Sequence, residues 1–122
     1  MRFYMRCYLS FFLLTLASQA CSESLLALST GPQLKNALSG NTVEGSMQAS
    51  GRYTEFYAKD GTVLAKDYKA IWRIEGNDMC WIYKDQPKDC WQAAIKGKSV
   101  QWIKNNKVQG NGTIVQGNTN NF

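Results

Sequence analysis

This chain of 122 residues contains no histidine. A Ser-His-Asp triad, a Cys-His dyad and the common zinc sites of enzymes each need an imidazole, so none of them can be assembled. The usual axial ligand of haem is missing for the same reason. There is no length for a second domain. There is also no basic stripe, although 14 Lys and Arg stand against 9 Asp and Glu, a net charge of +5. The lysines occur singly, at 35, 59, 66, 69, 84, 88, 96, 98, 104 and 107. Nucleic-acid binding needs a clustered patch; this spread reads as solvated strand faces and turns. The carboxylates are equally scattered, and nothing in the spacing of Glu44, Glu55, Asp60, Asp67, Glu75, Asp78, Asp85 and Asp89 selects a general acid/base pair. The sequence therefore names no catalytic residue, no cofactor and no metal site, and the chain is read as a non-enzyme.

Long hydrophobic runs are scarce too. The run Cys7–Ala17 (CYLSFFLLTLA) is too short to span about 30 Å of hydrocarbon, which takes roughly 20 residues. Arg2 and Arg6 precede it, and Ser18-Gln19-Ala20 follows with small residues where a signal peptidase requires them. Residues 1–20 are read as a secretory signal peptide rather than a buried helix. Cys21 then stands first in the mature chain, where a bacterial lipoprotein carries its lipid; Ser-Gln-Ala matches a lipobox only loosely. Cleavage leaves 102 residues with 12 basic and 9 acidic side chains, a charge of +3. One modest core is expected at that size, and a covalent staple would help it.

Residues 21–41 are read as a leader and a short helix. Thr30 can cap it and Pro32 can sit in its first turn, with Leu34, Ala37 and Leu38 on one face. From 42 to 118 the hydrophobic period changes to two, as in Tyr68, Ala70, Trp72, Ile74 and in Met79, Trp81, Tyr83. Turn signals such as Asp60-Gly61, Gly76-Asn77 and Asn105-Asn106 punctuate the runs. The predicted strands are about 43–48, 52–58, 62–66, 69–75, 79–84, 89–95, 98–104 and 107–116. All connections are short, so neighbours should pair antiparallel. The expected fold is mainly β: a short helix, then a roughly eight-stranded antiparallel meander forming a small barrel or strongly curled sheet. An open sheet with the helix on one face is the alternative. Residues 119–122 are a tail.

Cys80 and Cys90 lie at equal distances from Asp85 in CWIYKDQPKDCW. A hairpin centred there makes them directly opposed partners, close to disulfide range. A disulfide is predicted, since a metal site lacks further ligands and a redox pair usually has the C-x-x-C spacing. Trp81 and Trp91 each follow a cysteine and so face the other side of the hairpin. Most aromatics should be core. Those near turns can line a pocket, and Ser50, Tyr53, Tyr57 and Trp81 are the candidate ligand or partner contacts.

Gly40-Asn41-Thr42-Val43, Tyr57-Ala58-Lys59-Asp60-Gly61-Thr62, Trp72-Arg73-Ile74, Cys80-Trp81 and Cys90-Trp91 follow one another in an order that resembles an uncharacterised family of small secreted proteobacterial proteins. Ile71 stands where that pattern has glycine. The resemblance implies export, a disulfide and a β fold, and carries no activity. Ser50-Gly51-Arg52-Tyr53 is similar, one residue short, to the Ser-Gly…Tyr loop of periplasmic lysozyme inhibitors, which include small eight-stranded barrels with a disulfide. The expectation is a secreted or periplasmic binding module holding an unidentified small ligand or an envelope protein at a barrel mouth, without nucleic acid. A membrane enters only if Cys21 is lipidated. The alternatives are a lysozyme-inhibitor-like protein and, disfavoured, an enzyme.

Overall fold

The computed structural model describes residues 27–122. The signal-peptide reading of residues 1–20 and the lipidation reading of Cys21 lie outside the described residues.

Helix α1, Gly31–Leu38, starts on a capping box. The Thr30 hydroxyl accepts from the Gln33 N–H while the Gln33 side chain accepts from the Thr30 N–H. Leu34 and Leu38 are completely buried and Ala37 packs beside them. The apolar face read from the sequence is therefore the face that meets the barrel. At its start the helix touches the Gly76-Asn77 turn. Asn77 Oδ1 accepts from the Gly31 N–H at 2.8 Å, and a Cβ on Gly31 would collide with the Gly76 carbonyl, so only glycine fits.

Eight strands follow: β1 Asn41–Met47, β2 Gly51–Tyr57, β3 Thr62–Leu64, β4 Lys69–Glu75, β5 Asp78–Tyr83, β6 Asp89–Lys96, β7 Ser99–Lys104 and β8 Lys107–Gln116. Each pairs antiparallel with its sequence neighbour, and β1 pairs with β8 to close the barrel. Closure removes the exposed edges that an open sheet would have to protect. The two-residue connection Asn105-Asn106 has both residues at positive φ (54° and 61°), the backbone that suits the right-handed twist of a hairpin. β3 is shorter than the predicted 62–66. The chain turns away at Ala65, whose N–H bonds the Tyr68 carbonyl.

Three seams of the barrel are short, and one of them, β3–β4, has only the three pairs that the short β3 can make. β5 and β6 share only Met79↔Trp91, Cys80↔Cys90 and Trp81↔Asp89. Further down β6, the segment before α1 takes over: the Ser29 N–H bonds the Ala93 carbonyl, and its hydroxyl accepts from the Ile95 N–H. β3 meets β2 only at Phe56 and Tyr57, leaving the first part of β2 uncovered on that side. The Cys80–Cys90 disulfide is formed and fastens the β5–β6 seam. Such a bridge belongs to oxidising surroundings, extracellular or periplasmic.

No helix among the described residues is long and apolar enough to cross a membrane. Glu44, Arg52, Lys69 and Arg73 are exposed on the barrel wall.

Candidate functional site

The meander fixes two unlike ends. Helix α1 and the turns 58–61, 76–77 and 97–98 gather at one, and the connections 48–50, 65–68, 84–88 and 105–106 gather at the other. The second end is open. Behind it lies a cavity of about 210 Å3 lined by residues from most of the strands. All four contacts proposed from the sequence reach it: Ser50 from the β1–β2 turn, Tyr53 and Tyr57 from β2, and Trp81 from β5.

The period of two on β2 places a carboxylate between the two tyrosines. Glu55 is 5% exposed and sits inside the barrel. Burying a charge is costly unless donors replace water, and three phenols do so. Tyr57 donates to Glu55 Oε1 at 2.8 Å; Tyr68 and Tyr83 donate to Oε2 at 2.6 and 3.3 Å. The network extends inward, where the Trp81 indole N–H donates to the Tyr57 hydroxyl at 3.1 Å. Tyr68 is 41% exposed, and its ring packs 6.0 Å from that of Tyr83. It comes from the loop after the shortened β3, so its phenol covers Glu55 where β2 lacks a neighbouring strand.

A second cluster supports the wall. The Trp102 indole N–H donates to the Tyr53 hydroxyl at 2.7 Å, and that hydroxyl donates to the Asn111 carbonyl at 2.8 Å. Trp102 also meets Trp81 edge-on at 5.1 Å. The glycines of β8 make this packing possible. A Cβ on Gly112 would fall 2.5 Å from the Tyr53 hydroxyl and 2.6 Å from Val43 Cγ1, and one on Gly110 would run into the Met47 sulfur.

At the rim, Asp89 accepts from the Trp91 indole at 2.9 Å and pairs with Lys104, whose ammonium lies 5.2 Å over the Trp91 ring. Burial pushes the Asp89 carboxyl up, but the Lys104 and Trp91 donors outweigh it and hold the group below its ordinary value. The four tyrosines of the described residues all move the other way. Burial, with the charge of Glu55 adding to it, raises the phenols of Tyr57, Tyr68 and Tyr83. Burial likewise pushes Tyr53 up to about 12. All four therefore remain hydrogen-bond donors at neutral pH.

Glu55, Tyr68, Tyr83, Asp89, Trp91, Trp102 and Met47 were not among the sequence candidates. Tyr53, Glu55 and Tyr57 alternate on one strand face, but nothing in the sequence set Glu55 apart from the other carboxylates. On the outer face, Glu75 lies beside the sulfurs of Cys80 and Cys90. With both cysteines bridged neither offers a thiolate, and Glu75 instead pairs with Lys88 and Arg73. No family model, curated protein or solved structure matches the chain.

Proposed function

We propose that this protein is a non-enzymatic binding module, exported to the periplasm or secreted, which holds a small molecule in the barrel cavity. The observation that carries this reading is the buried Glu55 held by three tyrosines beside an open, tryptophan-lined cavity. Small-ligand sites are concave and mostly apolar, with a few fixed polar groups. The disulfide and the signal-like order of residues 1–20 support export. The resemblance to small secreted proteobacterial proteins agrees with this reading.

The lysozyme-inhibitor alternative has less support. The tyrosine of the similar loop, Tyr53, lines the cavity and has its hydroxyl tied to Trp102 and Asn111 instead of being held free for a protein partner. Native mass spectrometry of protein purified from its host, with a small-molecule thermal-shift screen, tests the proposal. The expected result is a chain cleaved after Ala20 that retains a ligand, or is stabilised by one that changes its tryptophan fluorescence. An uncleaved chain with no retained ligand and no stabilising compound would overturn it. Lysozyme inhibition by wild type, lost in the Ser50→Ala, Tyr53→Ala double variant, would favour the alternative.

A further inference from the structure

The lining of the cavity has a charge opposite to that of the chain. Basic residues outnumber acidic ones overall, yet the lining includes no lysine or arginine, and of its two carboxylates Asp89 is paired at the rim with Lys104 while Glu55 has no cationic partner among the described residues. The rest of the wall is largely aromatic: Tyr53, Tyr57, Tyr83, Trp81, Trp91 and Trp102 among them. Indole and phenol faces carry negative electrostatic potential, which attracts a cation and repels an anion.

The carboxylate is only partly used. A carboxylate offers about four lone-pair positions. Glu55 Oε2 takes two phenols and Oε1 takes one, so one position remains on Oε1. The rim already shows the same chemistry in use. Lys104 places an ammonium against a carboxylate, Asp89, and over an indole, Trp91. Deeper in, the same pair of elements recurs as Glu55 with Tyr57 and Trp81, and no lysine or arginine of the lining serves it.

Size narrows the choice further. A volume of about 210 Å3 lies below the common range for drug-sized ligands. We infer that the cavity receives a compact organic ammonium group, primary or quaternary, with its charge beside Glu55 and its carbons against Trp81 and the more accessible Tyr83. This rests on the cavity-binding reading above.

Tryptophan fluorescence titration of the intact protein, at constant ionic strength, tests it with choline, butylamine and dimethylbutanol, the uncharged molecule of choline's shape. Choline or butylamine should bind at least about tenfold more tightly than dimethylbutanol. Glu55→Gln, checked for folding by circular dichroism, should remove that preference. The wild-type comparison needs no variant, so it decides the matter even if Glu55→Gln fails to fold. Binding of neither choline nor butylamine more tightly than dimethylbutanol would overturn the cation assignment and leave the cavity reading standing. So would a neutral or anionic ligand in the thermal-shift screen with no response to either amine. No response to any compound of any class would overturn both.

Discussion

Raising the pH tests the interior most directly, because the four described tyrosines all have phenols pushed up by burial. An unfolded tyrosine ionises near pH 10, and the folded barrel holds those protons to higher pH. Stability is therefore complete below pH 10 and is lost as pH rises toward the folded values, the lowest of which is about 12 for Tyr53. One unit above pH 10, each tyrosine that ionises only in the unfolded chain costs about 1.4 kcal/mol. Four would cost about 6 kcal/mol, reduced to roughly 4 because Tyr68 is 41% exposed and solvent screens part of its shift. That is a large share of the roughly 5–15 kcal/mol that holds a small domain together. Tyrosinate absorbance and near-ultraviolet circular dichroism should be followed together on protein lacking residues 1–20, which contain the other two tyrosines. The expected outcome is little tyrosinate at pH 10 and then one cooperative step between pH 11 and 12, in which tyrosinate appears as the dichroism is lost. A gradual titration centred at pH 10 with the dichroism intact would refute the reasoning, since it would mean that the phenols are neither buried nor bonded to Glu55.

Three further outcomes follow from the packing. Replacing Cys80 and Cys90 together by alanine opens a loop of sequence separation 10, for which chain entropy gives about 3 kcal/mol; a melting temperature lower by about 10–20 °C is expected by calorimetry. Leu34→Ala removes a completely buried side chain from the helix that stops the barrel and should cost about 2–5 kcal/mol in urea unfolding. Gly112→Ala forces a methyl group toward Tyr53 and Val43; it should cost about 1–3 kcal/mol and shift the tryptophan emission as the Trp102–Tyr53 bond is disturbed.

The barrel was legible because its elements are local. Alternation marked the strands, Asn-Asn and Gly-Asn marked the two-residue turns, and the symmetry of Cys80 and Cys90 about Asp85 set the register that the structure has at Cys80↔Cys90. Thr30 and Leu34 marked the helix in the same way. The site was only partly legible. Ser50, Tyr53, Tyr57 and Trp81 could be chosen as residues near turns or on an inward face. Glu55 could not be told from the other carboxylates, because its partners Tyr68 and Tyr83 are 13 and 28 residues away and meet it only after closure. The importance of Tyr68 depends on the early end of β3, which no composition signal marks.

Helix α1 stops one end of the barrel, and this makes the cavity blind. A ligand of the proposed kind would have to enter and leave past the same aromatic rim. The part that meets Glu55 would go in first, and anything attached behind it would project through the mouth into solvent.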